Sequence, residues 1–140
     1  MDSQARHLVF HSALVLMAGL LVGVPYGRAV RRNASEHVLK AWRLAHDTLT
    51  VGPILGLAIA AILSSLSVGT PVKTWLAWTW AVSNYSFCFS LPLAALAGQR
   101  GHTWDKPLAN QLVFVGNMVG VGAASVGAAV LLYAAYVSLF

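Results

Sequence analysis

The stretch PLANQLVFVGNMVGVGAASVGAAVLLYAAYVSLF, residues 107–140, runs for 34 positions without a charged side chain. A helix needs about 20 apolar residues to cross about 30 Å of hydrocarbon, so this stretch is longer than one membrane span requires. Three further charge-free stretches precede it, at residues 7–27, 48–72 and 74–99. The pattern predicts an all-α integral membrane four-helix bundle. Its predicted spans lie at about 8–26, 47–68, 74–97 and 108–138.

The overall composition agrees with a membrane protein. Of the 140 residues, 58% are hydrophobic and 9% are charged, and the mean hydropathy is +0.70. The chain is too apolar for an ordinary soluble domain and too short for several domains, so we expect one transmembrane domain over residues 1–140. The same composition excludes a disordered chain, and the single cysteine, Cys88, excludes a disulfide framework.

The net charge of +5 is explained by membrane topology, and no nucleic-acid partner is expected. Seven basic residues lie in the first and third connections, 28–45 and 98–107, whereas Arg6 and Lys73 are the only two at the opposite end. The seven are Arg28, Arg31, Arg32, Lys40, Arg43, Arg100 and Lys106. The positive-inside rule therefore predicts that both connections are cytoplasmic, in a bacterial inner membrane protein with both termini outside.

The ends of the first two helices are predicted from turn and capping residues. Pro25 and Gly27 are expected to end the first helix. The connection that follows is long enough for a short amphipathic turn around residues 36–43. The second helix is expected to begin near His46, with Asp47 in its first turn, where the helix dipole favours a carboxylate.

Small residues recur at four-residue spacing in three of the predicted helices. The series are Gly19, Gly23 and Gly27 in the first helix, Gly52 and Gly56 in the second, and Gly116, Gly120, Ala124 and Ala128 in the fourth. Small side chains let helix backbones approach closely, which is how helices associate in lipid. We expect some of these series to face another copy of the chain, which predicts a homo-oligomer.

Polar side chains inside the predicted spans need either partners or a function, because each is costly in hydrocarbon. His11 is one turn into the first span and is explained equally well as an interfacial imidazole. Asn84 lies near the middle of the third span, where it either bonds to a neighbouring helix or serves a site. The same alternatives hold for Asn110 and Asn117 in the fourth.

The small number of ionisable side chains restricts the reactions that the chain could catalyse by itself. Only four carboxylates are present, so a carboxylate pair or a proton relay is poorly provided for. Haem needs only one nitrogen from the protein, because the porphyrin supplies the other four ligands of the iron. His46 is the best-placed candidate for that ligand, and the neighbouring Arg43 is placed to pair with haem propionates. We predict that Arg43, His46 and His11 are the cofactor-binding residues.

One group of motifs resembles a known family. The chain is similar to styrene oxide isomerase, a small four-span membrane enzyme, in several short motifs. These are Trp42-Arg43-Leu44-Ala45-His46 before an apolar helix, an early His11, Trp80-Ala81 and Asn84 in the third span, and Arg100-Gly101 after that span. Helix order and spacing are similar over nearly the whole chain. Hydroxylaminobenzene mutase, another small four-span enzyme, looks similar in its two early histidines and its helix-three asparagine.

The resemblance implies a homotrimer that binds haem b between subunits, with His46 as the axial ligand. In styrene oxide isomerase the ferric iron acts as a Lewis acid on the epoxide oxygen, the ring opens to a benzylic cation, and a 1,2-shift gives the aldehyde. Two residues that orient the epoxide in that family are an Asn and a Tyr, and this chain has Gly52 and Cys88 at those positions. We therefore predict that Asn84, Tyr85 and Thr50 supply the catalytic hydrogen bonds instead.

Three functions follow from the sequence. The first is a haem-dependent membrane isomerase that converts a small lipophilic, aromatic epoxide to a carbonyl compound by an intramolecular rearrangement. The second is the same scaffold acting on an aryl hydroxylamine to give an aminophenol. The third is a non-enzymatic membrane subunit, either a haem-carrying protein or a packing partner.

Overall fold

The computed structural model describes all residues 1–140 and contains four α-helices and no strand. The helices are α1 (Ser3–Arg31), α2 (Glu36–Leu63), α3 (Thr70–Ala97) and α4 (Leu108–Val137). The predicted all-α four-helix architecture is confirmed. Three of the helices, α1, α2 and α4, are long and apolar enough to cross a membrane.

The predicted boundary between α1 and α2 is wrong. Pro25 lies inside α1, which continues through Gly27 to Arg31, and α2 begins at Glu36. Residues 36–43, expected as a separate turn, are the first two turns of α2, and Asp47 therefore lies inside that helix rather than at its start. A charged residue ends the hydrocarbon span but not the helix, and an internal proline removes only one backbone hydrogen bond.

The helix α3 lies in the middle of the bundle and is the one helix without a stretch as apolar as the membrane spans of the other three. It packs against all three other helices, whereas no Cα atom of α4 comes within 8 Å of α1 or α2. A central helix faces protein more than lipid, so it carries polar residues, and Ser83, Asn84 and Ser90 are all buried. It ends at Gly98, whose φ of 65° places it in the left-handed conformation typical of a helix C-cap.

The apolar core joins α1, α2 and α3 near the N-terminus of the chain. Its members are Ala5, Leu8, Ile59, Ala60, Leu63, Leu76 and Ala77. At the same end Lys73 donates to the Asp2 carboxylate at 2.9 Å, and the Asp2 backbone N–H donates to Ser64 Oγ at 3.2 Å. These contacts fix the start of α1 to the connection between α2 and α3.

The small-residue series are used inside the chain. Gly116 lies against Ser90, and Gly120 against Phe87, so the α4 series faces α3. Gly19 lies against the Leu49 backbone of α2. These members of the series pack the helices of one chain, whereas a Cβ atom at Gly27 would meet nothing within 4 Å, and the expected oligomer stays a prediction.

Candidate functional site

His46 lies between α1 and α2, and one of its ring nitrogens is held by the backbone. Its Nδ1 is 2.9 Å from the Gly19 carbonyl oxygen. A carbonyl only accepts hydrogen bonds, so Nδ1 carries the proton and Nε2 keeps its lone pair. The Tyr26 ring stacks on the imidazole with the centroids 6.2 Å apart. A histidine oriented through one nitrogen, with the other free, has the arrangement of a metal ligand.

Two glycines of α1 let α2 pack closely here, and one of them makes room for the His46 ring. A Cβ atom at Gly23 would lie 3.2 Å from His46 Cε1 and 3.3 Å from Nδ1, closer than ordinary van der Waals contact. A Cβ atom at Gly19 would overlap the Leu49 carbonyl group. The spacing of these glycines was visible in the sequence, but its purpose is to hold His46 against α1.

Arg43 and Thr50 share a face of α2 with His46, since they are three residues before it and four after it. Arg43 is exposed and lies 3.4 Å from the Asp47 carboxylate. The Thr50 hydroxyl is 3.0 Å from the carbonyl oxygens of both His46 and Asp47, so its proton is used within the helix. Thr50 therefore offers a ligand an acceptor rather than a free donor.

Asn84 is buried at 6% exposure, and its amide nitrogen has no hydrogen-bond partner. Its carboxamide lies over Gly52, where a Cβ atom would be 2.6 Å from Asn84 Oδ1. The indole N–H of Trp80 donates to the Gly52 carbonyl at 3.1 Å, one turn along α3. An unpaired buried amide costs about 1–3 kcal/mol, so this nitrogen is a strong candidate for binding a ligand oxygen.

Tyr85 points elsewhere, although it follows Asn84 directly. Its hydroxyl is 2.9 Å from His11 Nδ1, and the two rings meet edge to face with Trp78 beside them. Tyr85 is 40% exposed. His11 is thus a partner of α3 at the surface of the bundle, and it does not approach His46.

The predicted site residues are not all brought together within one chain. Gly52, which Asn84 covers, is about 120° around α2 from His46 and about 9 Å along its axis. His46, Thr50 and Arg43 therefore form one group, Asn84 lies on a different face of α2, and Tyr85 with His11 forms a third group. Asn84 borders a groove between α2 and α4, to which Asp47, Thr48 and Ala124 also contribute.

Two polar features were missed by the sequence reasoning, and a third, Asn110, was expected to bond to a neighbouring helix or to serve a site but bonds to the connection before α4. His7 stacks on His11 with the ring centroids 6.3 Å apart, and the signal was their four-residue spacing in a helix. The Ser12 hydroxyl is buried without a partner beside Gly56, and no pattern in the sequence indicates it. Asn110 binds Gly101 N–H at 3.0 Å and the carbonyls of Thr103 and Asp105, which folds the connection before α4.

No group of three or more His, Cys, Asp and Glu side chains is arranged to hold a metal ion. A sequence model of the styrene oxide isomerase family matches residues 4–136, nearly the whole chain. No curated protein matches the chain.

Proposed function

The chain belongs to the styrene oxide isomerase family, and on that premise we propose that it is a haem-dependent membrane isomerase that rearranges a small lipophilic epoxide to a carbonyl compound. The observation that carries the proposal is the free Nε2 of His46, on a ring whose Nδ1 is bonded to Gly19 at 2.9 Å. The rearrangement is intramolecular and consumes no electrons. It therefore suits a small chain with few ionisable groups.

The residues around His46 fit haem b. Haem requires one strong nitrogen donor, and a neutral imidazole with a fixed tautomer supplies it. His46 is partly exposed on the outside of the α1–α2 pair rather than enclosed, which leaves its Nε2 side accessible to a planar group. Arg43 is on the same face, with 69% of its side chain exposed, and is available to pair with a propionate. When bound, ferric haem supplies a Lewis acid that polarises the epoxide oxygen.

The protein contributes orientation and a dry environment. The bond to Gly19 and the stacked Tyr26 hold the imidazole in one orientation. The apolar side chain of Ile54, two turns along α2 from His46, is more than half exposed on the single chain and gives a water-excluding wall in lipid or against another subunit. Excluding water protects a carbocation from capture during the 1,2-shift.

The second wall of the site comes, in this proposal, from another copy of the chain in a homotrimer. Within one chain the residues next to His46 are Gly19, Gly23 and Tyr26 of α1. Asn84, with its unpaired amide nitrogen, faces a different side. A copy that presents a donor across the interface completes the site without any rearrangement of the helices.

The first experiment is an absorption spectrum of the detergent-purified protein. We expect a Soret band that is lost in His46→Gly and regained when imidazole is added, because imidazole can occupy the space left beside Gly23. His102→Gly is the matched control, since His102 is exposed in the connection before α4, and it should keep the band. A colourless wild-type protein, or equal loss in both variants, would refute the haem proposal.

The second experiment identifies the reaction. Conversion of styrene oxide to phenylacetaldehyde without an added reductant is expected, with loss of turnover in His46→Gly. Phenylhydroxylamine is the comparison substrate. If it gives an aminophenol while styrene oxide is unchanged, the proposed epoxide chemistry is wrong although the haem site stands.

A further inference from the structure

Two histidines share one face of α1, at the end of the bundle where Lys73 pairs with Asp2. His7 and His11 are four residues apart in the helix, so their side chains are neighbours on its surface. Their ring centroids are 6.3 Å apart, and the ring planes are inclined by 19°. Two histidines at this spacing on one helix face form the zinc-binding pair of many metalloproteases. The pair therefore has the spacing of a metal chelate.

The second histidine is oriented by α3. His11 Nδ1 is 2.9 Å from the Tyr85 hydroxyl oxygen, and a hydroxyl can accept a hydrogen bond as well as donate one. When Tyr85 accepts the bond from the Nδ1–H group, His11 Nε2 keeps its lone pair for a metal ion. Metal-binding histidines almost always use their other ring nitrogen in this way. Tyr85 is 74 residues away in the chain, so this contact is independent of the histidine spacing.

The surroundings of His11 are aromatic. The Phe10 and Trp78 rings each have their centroid 5.5 Å from the centroid of the His11 ring. Both side chains are more than half exposed on the single chain. Aromatic side chains of this kind are typical of the boundary between membrane and water. They shield one side of His11 from solvent, which strengthens the binding of a metal to its free nitrogen.

The distance between the two rings is close to that required by one metal ion. A Zn–N bond is about 2.0–2.1 Å long, so two imidazoles on a tetrahedral ion have their centroids about 5 Å apart. The separation of 6.3 Å is about 1 Å greater. His7 is exposed, so its ring can turn toward the ion while Tyr85 holds His11 in place. No third His, Cys or carboxylate group joins the pair, which leaves the other coordination positions to water.

We propose that His7 and His11 bind one divalent transition-metal ion of the Zn²⁺ and Cu²⁺ class through their Nε2 atoms, with Tyr85 as a positioning residue. Imidazole nitrogen suits these ions. His11 is eight residues, or about 12 Å, from Gly19, which holds His46, so the site is separate from the proposed haem ligand. A bound ion ties two turns of α1 together and, through Tyr85, stabilises the packing of α1 on α3.

The first test is calorimetric titration of the detergent-purified protein with Zn²⁺, for which we expect one ion per chain. His7→Phe keeps an aromatic ring beside His11 but removes the nitrogen ligand. It should lower the affinity about hundredfold, because the second ligand of a chelate binds intramolecularly. His7→Cys removes the ring but supplies a thiolate, so it should bind Zn²⁺ more tightly than His7→Phe. His37→Gln is the matched control, since His37 is an exposed histidine on α2, and it should bind as the wild type does.

The comparison of these variants separates coordination from ring stacking. Equal affinity in the wild type and His7→Phe would overturn the proposal, as would equal loss in His7→Phe and His7→Cys or a loss in His37→Gln. Saturating Zn²⁺ should also raise the unfolding temperature of the wild type but not that of His7→Phe.

The second test counts the nitrogen ligands by electron paramagnetic resonance of bound Cu²⁺. The wild type should show two imidazole nitrogens and His11→Gln only one. Tyr85→Phe should keep both nitrogens while its affinity falls about tenfold, as expected for a residue that acts through a ligand. A single nitrogen in the wild type would overturn the site, and unchanged affinity in Tyr85→Phe would overturn the positioning role. Because neither turnover nor Soret absorbance is measured, failure here leaves the isomerase proposal intact.

Discussion

Replacement of Gly23 by alanine tests whether α1 sets the position of His46. The new Cβ atom would lie 3.2 Å from His46 Cε1 and 3.3 Å from Nδ1, so the ring must move by a few tenths of an ångström. The ring has little space in which to move, because Tyr26 stacks on it and Nδ1 is bonded to Gly19. The displacement therefore lengthens a hydrogen bond that is now 2.9 Å.

The size of the effect follows from that bond. A neutral hydrogen bond contributes about 0.5–1.5 kcal/mol, so weakening it lowers the affinity of His46 for haem by up to about tenfold. Gly27→Ala is the control on the same helix, since a Cβ atom there meets nothing within 4 Å. Alanine at a helix interior position is favoured over glycine by about 0.5–1 kcal/mol, so the control should bind haem normally and unfold at a slightly higher temperature.

The assay is titration of the haem-free protein with haemin, followed at the Soret band, beside thermal unfolding in the same detergent. We expect Gly27→Ala to bind haemin with the affinity of the wild type and Gly23→Ala to bind it more weakly. Gly19→Ala should be least stable even without haem, because its Cβ atom overlaps the Leu49 backbone and overpacking costs about 1–3 kcal/mol. If Gly23→Ala and Gly27→Ala bind haemin with the same affinity, α1 does not set the position of His46.

Three other predictions concern polar contacts. The hydrogen bond from Lys73 lowers the pKa of Asp2 below its ordinary value. The pair therefore stabilises the folded chain above the unfolded pKa of about 3.9, and this contribution is lost as the pH falls through the lower folded pKa. Lys73→Met should flatten the dependence of the unfolding temperature on pH in this acidic range. Asn84→Ala should reduce turnover while leaving the haem-free protein no less stable, because it removes a buried unpaired amide; unchanged turnover would exclude Asn84 as an orienting group. Asn110→Ala should lower the free energy of unfolding by about 2–4 kcal/mol through the loss of three hydrogen bonds, as measured by chemical denaturation.

The number, order and approximate positions of the helices were predictable because hydrophobic length is a strong signal in a membrane protein. The bounds of α3 and α4 agree with the predicted spans to within a few residues. The end of α1 and the start of α2 were misplaced because charge marks the edge of hydrocarbon, not the end of a helix. The ion pairs Glu36–Lys40 and Arg43–Asp47, each four residues apart, add support to α2 outside the membrane span.

The candidate site was predictable by residue type but not by grouping. His46 was identified because few other groups in the chain can bind a metal, whereas its bond to Gly19 depends on how α1 and α2 pack. Asn84 and Tyr85 are adjacent in sequence, and for that reason they point about 100° apart on a helix. Sequence alone does not show which face of α3 meets which helix, so the different directions of the two side chains were not predictable.

This separation has a consequence for the proposed enzyme. A single α2 helix presents His46 on the side of α1, whereas it presents Gly52, with Asn84 above it, on the side of α3. No rotation of a rigid helix brings both faces to one substrate. If turnover depends on both His46 and Asn84, the two must therefore come from different copies. Mixed oligomers of His46→Gly and Asn84→Ala chains should then recover part of the activity that each variant alone has lost, whereas a site contained in one chain would show no recovery.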